Sequence, residues 1–120
     1  MKKFLSIFVF MFALCSTFAQ RVSFESDCRV IRRYASVTSY FRLYGSVYVE
    51  TDPKEPVDLK VKVVNGPIAA FNIYITTDKP QDCGEWRFVS DRSKAKFTIR
   101  YVKEHEDCTI RFVKDRSQAG

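Results

Sequence analysis

The sequence predicts a small, mostly β, single domain of about six to seven short strand-turn repeats wound around one core. Apolar and polar residues alternate in short stretches, the stretches recur about every 13 residues, and one nonapeptide occurs almost unchanged twice. The two copies are FVSDRSKAK at residues 88–96 and FVKDRSQAG at residues 112–120. A period this short leaves no room for a crossover helix, which needs about a dozen residues besides the strands. We therefore expect very short strands that bury their apolar faces only by assembling together.

The first 19 residues have the pattern of a secretory signal peptide. Lys2 and Lys3 precede an apolar, Phe-rich stretch, and the small residues Thr17 and Ala19 stand three residues and one residue before the expected cleavage point. The apolar run is shorter than the roughly 20 residues that a spanning helix needs. We expect residues 1–19 to direct export to the periplasm or the cell exterior, with no membrane span.

The remaining residues, 20–120, have the length of one domain and contain no linker rich in Pro, Gly or Ser. The formal charge of +6 for the whole chain falls to +4 when Lys2 and Lys3 leave with the signal. A balance this modest in an exported protein argues against a nucleic-acid partner. We expect a monomer whose partner, if it has one, is a glycan or protein of the cell envelope.

Six strand-like stretches follow the 13-residue period, with first residues 14, 12, 13, 13 and 11 apart. They are VYV (47–49), VKVV (61–64), IYI (73–75), WRFV (86–89), IRYV (99–102) and IRFV (110–113). Alternation places Trp86 and Phe88 on one face of their strand. We expect the aromatic residues of these strands to lie in the core. An exposed aromatic row would instead indicate a sugar- or protein-binding surface.

The links between strands share one plan, in which polar and charged residues lead to a small residue before the next strand. Ala70, Ala95 and Ala119 each stand seven residues after an apolar strand residue, and we expect them to pack inward. Cys83 and Cys108 occupy the same place in their links, which favours a packing role for them.

Three cysteines follow the signal: Cys28, Cys83 and Cys108. The alternatives are buried thiols, a disulfide between two of the three, or a reactive thiol. No two of them form a C-x-x-C motif, and His105 is the single histidine. We therefore expect no metal site and no cofactor.

Residues 20–45 fit the repeat poorly and are rich in arginine and aromatic residues. One interpretation is a further pair of degenerate strands with solvated arginines. The other is a binding face, and its candidate residues are Arg32, Arg33, Tyr34, Tyr40 and Arg42.

The last three units read GEWRFVSDRSKAKFTIRYVKEHEDCTIRFVKDRSQAG, residues 84–120. They resemble the septoil-knot domain family of small, exported bacterial proteins, and the resemblance extends back to about Val47. It implies a mostly β domain whose backbone forms a knot with seven crossings. It implies no known activity and no catalytic residue.

The residue types needed for catalysis do not form a recognisable set. His105 lies in a charged turn, KEHED, and the aspartates of the links are expected to accept local backbone hydrogen bonds. We expect a non-enzymatic structural or binding module. The alternatives are a carbohydrate- or protein-binding protein of the envelope, an envelope hydrolase that uses turn carboxylates such as Asp91 and Asp115, and a redox protein that uses its cysteines.

Overall fold

The computed structural model describes residues 21–25, 27–34 and 36–120. These residues form nine β-strands and two single turns of 3₁₀ helix, which confirms a mostly β fold, and none of the helical turns has the length or apolar character needed to cross a bilayer. The predicted signal peptide lies outside the described residues. The strands are β1 (Arg21–Phe24), β2 (Arg29–Tyr34), β3 (Val37–Arg42), β4 (Gly45–Val49), β5 (Leu59–Val63), β6 (Phe71–Ile75), β7 (Glu85–Phe88), β8 (Phe97–Tyr101) and β9 (Cys108–Val113). The 3₁₀ turns are Arg92–Lys94 after β7 and Arg116–Gln118 after β9.

The strands form two sheets. β1, β2 and β3 make an antiparallel sheet, so the stretch that fits the repeat poorly contains three strands rather than two. β4 to β9 overlap the six predicted repeat strands and close into an all-parallel barrel in the order β4, β7, β6, β9, β5, β8. The barrel is the single core around which the repeats assemble.

The chain winds around this barrel in one direction. In chain order, every connection from β4 to β9 advances in the same sense around the ring, and only β6 and β7 are neighbours both in sequence and in space. Because all six strands are parallel, each connection must return along the outside of the barrel before the next strand begins. The 13-residue period is the length of one such strand with its return.

The register divides the interior of the barrel into levels. Following the paired residues once around the barrel from Val49 of β4 returns to the line of β4 at a point twelve residues earlier. The register therefore shifts by two residues per strand (12/6 = 2). Because this shift follows the tilt of the strands, the inward-facing residues lie at three heights along the barrel axis. Each height, or level, contains one residue from each of the six strands. The lower level is Gly45, Leu59, Phe71, Gly84, Phe97 and Cys108. The middle level is Val47, Val61, Ile73, Trp86, Ile99 and Ile110, all of them 0% exposed. The upper level is Val49, Val63, Ile75, Phe88, Tyr101 and Phe112.

The antiparallel sheet closes the lower end of the barrel. Phe24 packs against Phe71 with ring centroids 5.3 Å apart, and the buried residues Val30 and Leu43 join the same hydrophobic cluster. The indole nitrogen Nε1 of Trp86 donates a 3.2 Å hydrogen bond to the carbonyl oxygen of Leu43. This contact satisfies the one polar atom of a fully buried side chain.

The upper end of the barrel is open to solvent. Five of its six residues are 38% to 45% exposed, and they include Phe88, Tyr101 and Phe112. The expectation that all strand aromatics lie in the core is therefore wrong for these three residues, and it is also wrong for Tyr48 and Tyr74, which alternate with the inward-facing residues and lie on the outer face of the barrel. Alternation placed Phe88 correctly on the same face as Trp86, but Phe88 lies one level higher, where no further layer covers it.

The two nonapeptides fold alike. The carboxylate of Asp91 accepts from the backbone N–H of Ser93, and that of Asp115 accepts from Ser117, each at 3.0 Å, and a 3₁₀ turn follows. These short side-chain caps fix the direction of each turn. The duplication therefore encodes the same local structure on two sides of the barrel.

The alanines expected to pack inward do not reach the core. Ala70 is exposed, and Ala95 and Ala119 are only partly buried. Their backbone groups make the closing contacts instead, since Ala70 N–H donates to the carbonyl oxygen of Thr109 at 3.0 Å. At these positions the chain re-enters the lower end of the barrel beside its neighbour, so the backbone rather than the methyl group closes each unit.

The cysteines have two different environments. Cys28, which follows the β1–β2 turn and has a positive φ of 68°, forms a disulfide with Cys83, at the start of β7. Cys83 thus links the sheet to the barrel and does not act as a packing residue. Cys108 is a free thiol, buried in the lower level of the barrel.

Candidate functional site

The side of the antiparallel sheet that faces away from the barrel carries most of its arginines, and we call it the arginine face. Strand alternation puts most of the apolar residues of β1 to β3 on the barrel side and four of the five arginines on this face. Its members are Arg21, Ser23, Arg29, Ile31, Arg33, Thr38, Tyr40 and Arg42.

Two pairs of arginines lie directly opposite each other on this face. Arg21 is paired with Arg33 across β1 and β2, and Arg29 is paired with Arg42 across β2 and β3. Like charges in directly opposed positions destabilise a sheet. The arrangement therefore gives the sheet no stability of its own.

Acidic residues compensate only one end of the arginine face. Asp27 makes a 3.2 Å ion pair with Arg29, whereas Glu25 contacts the same residue only through its backbone N–H, which donates a 2.8 Å hydrogen bond to the carbonyl oxygen of Arg29. In the part of the chain that the structure describes, Arg21, Arg33 and Arg42 have no carboxylate within ion-pair distance. Four arginines and one ion-paired acid leave the face with a net charge of +3.

The centre of the arginine face is apolar and aromatic. Ile31 is paired with Tyr40, whose side chain is 70% exposed. The guanidinium carbon of Arg29 lies 5.3 Å from the centroid of the Tyr40 ring, within the range of a cation–π contact. A flat ring between two rows of cations is suited to a ligand that is both cyclic and anionic.

The structure brings together only part of the predicted binding face. Arg33, Tyr40 and Arg42 lie on the arginine face, but Arg32 lies on the opposite side and forms an ion pair with Asp58 beside the barrel. Tyr34 pairs with Val37 at the end of the β2–β3 hairpin. Because strand residues alternate, a cluster that is contiguous in sequence divides between two faces.

Sequence reasoning missed Arg21, Arg29 and Ile31. The signal that identifies them is the alternation RVIRRY in β2, where positions 29, 31 and 33 share one side. Using that signal requires knowing that β1 and β3 flank this strand, which the period of the later repeats does not predict.

The turn carboxylates have structural roles. Hydrogen bonds from Ser93 lower the pKa of Asp91, and hydrogen bonds from Ser117 lower the pKa of Asp115. A hydrogen bond from the hydroxyl of Thr76, followed by one from Arg116, lowers the pKa of Asp78. A general acid needs a raised pKa, so these three carboxylates have the wrong shift for that role.

Cys108 and His105 lie in different environments. Burial, and secondarily the charges of Asp107 and Glu106, raise the pKa of the Cys108 thiol to about 12, so the nucleophilic thiolate is scarce at neutral pH. His105 is exposed in a turn and has a positive φ of 62°. Over the described residues, no group of three or more His, Cys, Asp or Glu side chains is arranged to hold a metal ion.

The open upper end of the barrel is a second exposed surface. Its apolar ring is followed, two residues further along each strand, by a rim of exposed polar residues: Thr51, Asn65, Thr77, Ser90, Lys103 and Lys114. The links that continue from this rim contain more acids than bases.

This architecture defines the class of an all-β protein of wound strand repeats with an exposed cationic face. The described part of the chain contains no assembled catalytic set. A family model described as the 7(1) septoil knot domain matches residues 40–120. The chain belongs to this family. The match covers the whole barrel and the end of β3. Neither the curated proteins nor the solved structures include a significant match.

Proposed function

We propose that this protein is an exported, non-enzymatic binding module that holds an acidic glycan of the cell envelope on its arginine face. The observation that carries the proposal is the pair of opposed arginine couples, Arg21 with Arg33 and Arg29 with Arg42. Their mutual repulsion is relieved when an anion lies between them, so binding removes an unfavourable feature of the free protein.

The chemistry of the face favours a glycan that carries carboxylate or phosphate groups. Guanidinium groups bind both anions in bidentate geometry, and the exposed ring of Tyr40 offers a flat surface for a sugar ring. The two arginine rows are four residues apart along β2, about 13 Å at the usual rise of a strand. This spacing suits several consecutive sugar units better than one small ion.

The arginine face is held rigidly. The Cys28–Cys83 disulfide and the stacked rings of Phe41 and Phe97 fix the sheet to the barrel, so little conformational entropy is lost on binding. The disulfide also suits an oxidising compartment, which supports export to the periplasm or cell exterior.

Binding to immobilised polygalacturonate, with neutral dextran as the comparison, tests this function. The double variant Arg21→Gln/Arg33→Gln should bind about thirtyfold more weakly, taking roughly 1 kcal/mol for each exposed ionic contact. The control is Arg87→Gln, which removes an exposed arginine from the outer wall of the barrel. Added salt should weaken wild-type binding, since the contacts are ionic.

Equal binding by the double variant and the control would show that the arginine face is not the site. Stronger binding to poly-glutamate or to anionic vesicles than to the polysaccharide would assign the face to another class of partner. A hydrolytic activity that is lost in Asp91→Asn or Asp115→Asn would contradict the non-enzymatic role, and one that survives both substitutions would show that these two residues do not carry it.

A further inference from the structure

The duplicated nonapeptide provides an internal comparison within one chain. Both copies place an aspartate cap, a serine and a 3₁₀ turn in the same order. They differ at three positions, where the first copy has Ser90, Lys94 and Lys96 and the second has Lys114, Gln118 and Gly120. Since the second copy folds the same way without the lysines of the first, the repeat itself does not require them.

Lys94 and Lys96 line a cleft of about 330 Å³ at the junction of sheet and barrel. Lys79, from the β6–β7 link, is the third cationic residue in its wall. The full lining is Tyr44, Gly45, Ser46, Lys79, Pro80, Lys94, Ala95 and Lys96, which includes no carboxylate. Three lysines from two links of the chain thus line one depression without an acidic residue in its wall.

The local backbone makes room for the Lys96 side chain. Gly45 is buried with a φ of +126°, and a Cβ atom there would lie 2.8 Å from Cδ of Lys96. The backbone N–H of Lys96 donates a 2.8 Å hydrogen bond to the carbonyl oxygen of Ser46. Its Nζ atom lies 4.0 Å from the centroid of the Tyr44 ring, which holds the ammonium group over an aromatic face.

We propose that this cleft, defined by Lys79, Lys94, Lys96 and Tyr44, binds the phosphate group of a phosphorylated sugar. A phosphate monoester carries nearly two negative charges at neutral pH, and lysine binds it as a point charge. Three lysines match the nearly double negative charge of a phosphate monoester better than they match the single charge of a carboxylate. The volume lies near the lower limit of ligand pockets, about 300 Å³, so it suits one sugar unit rather than a polymer. The site is separate from the arginine face and does not depend on the function proposed for it.

Titration of the ¹⁵N-labelled protein with glucose 6-phosphate tests the site. We expect saturable shifts of the backbone amides of Ser46, Lys94 and Lys96. Glucose at the same concentrations should give no shift, and inorganic phosphate should bind at the same amides but more weakly. A phosphorylated polysaccharide that displaces glucose 6-phosphate would identify the polymer as a source of the group, and failure to displace it would identify the free sugar phosphate.

The repeat supplies matched variants for this test. Lys94→Gln introduces the residue of the second copy, and together with Lys96→Gln it should weaken binding about tenfold, with roughly 0.7 kcal/mol lost per exposed ionic contact. The control Lys114→Ser introduces the residue of the first copy at a position outside the cleft, and it should leave binding unchanged.

Equal affinity for glucose and glucose 6-phosphate would overturn the proposal, and so would equal loss of affinity in the double variant and the control. Because Gln118 occupies the equivalent fold position, Lys94→Gln should fold normally, and its amide spectrum reports this directly. The Arg21→Gln/Arg33→Gln variant should retain the cleft, so the two sites succeed or fail independently.

Discussion

The phenyl rings of Phe41 and Phe97 stack with centroids 4.7 Å apart and an interplanar angle of 23°. Phe41 belongs to the antiparallel sheet and Phe97 to the lower level of the barrel, where it also meets the edge of Trp86 at 5.6 Å. The sheet and the barrel therefore share one hydrophobic core. Loosening the sheet should expose the barrel interior, and the first prediction concerns the bond that holds them together.

The Cys28–Cys83 disulfide should contribute strongly to stability. It closes a loop with a sequence separation of 55, for which chain entropy predicts a contribution of about 4 kcal/mol to the free energy of unfolding. Urea denaturation should show that loss of stability in Cys28→Ser/Cys83→Ser. Adding a reductant should not lower the free energy of unfolding of this variant any further. The Cys108→Ala control should still lose stability on reduction. A reductant effect that is equal in all three proteins would contradict the prediction.

The levels of the barrel should differ in their tolerance to truncation. Ile110 is in the middle level and 0% exposed, so Ile110→Ala should lower the free energy of unfolding by about 3 kcal/mol. Phe112 is larger but lies in the open upper level, and Phe112→Ala should lower it by about 1 kcal/mol. Chemical denaturation of both variants measures the difference. The reverse order would show that another part of the protein covers the upper end.

Gly84 should be among the least replaceable residues. It has a φ of +82°, and a Cβ atom there would lie 2.4 Å from both Asn72 O and Gly120 N. Gly84→Ala should therefore destabilise the protein by at least about 2 kcal/mol, through strain and a backbone clash. Gly66 has a similar φ of +83° but open space around it, so Gly66→Ala should cost only about 1 kcal/mol. Equal thermal shifts for the two variants would contradict a clash at Gly84.

The aspartates that cap the two 3₁₀ turns should make the free energy of unfolding depend on pH in the acidic range. Hydrogen bonds from Ser93 and Ser117 lower the pKa values of Asp91 and Asp115 from the usual 3.8. A lowered pKa in the folded state means that stability is present above pH 4 and is lost as the pH falls through the lowered values. NMR titration of the side-chain carboxyl carbons should give midpoints below 3.8 for both residues. Asp115→Asn, which keeps an acceptor but removes the charge, should unfold with a weaker dependence on acid.

The Cys108 thiol should be inert in the folded protein. Burial is the largest cause of its pKa of about 12. In the protein that lacks residues 1–19, iodoacetamide at pH 8 should therefore not label the native state. In urea the same protein should take up one label, because the other two cysteines remain in the disulfide. Rapid labelling of the native protein would place the thiol at the surface.

The strands were predictable from sequence, but their heights in the barrel were not. Alternation and period indicate which side chains face the core, and that part of the prediction holds for Trp86 and Phe88 alike. They do not indicate which level of a tilted barrel each side chain reaches, because the two-residue shift between strands depends on the order around the ring. That order differs from the order along the chain, so Phe88 was expected in the core and lies at its open end.

The candidate sites were predictable only in part, because the sequence does not indicate which strands become neighbours. Arg33 and Arg42 were identified by composition, whereas separating Arg32 from them required the pairing of β2 with both neighbours. The lysines of the cleft differ visibly between the two nonapeptides, at residues 94 and 96. Their meeting with Lys79 depends on the barrel bringing the β6–β7 and β7–β8 links to one place.

A closed barrel has no free strand edges, so the unpaired edges in the described part of the chain belong to β1 and β3. Such edges are the usual route to aggregation, and positive charge beside them discourages pairing between copies. Arg21 on β1 and Arg42 on β3 give both edges that charge. The protein alone should therefore remain dispersed at high concentration. A long polyanion would neutralise several copies at once and gather them along its length, so the same residues should keep the protein soluble in isolation and concentrate it on its ligand.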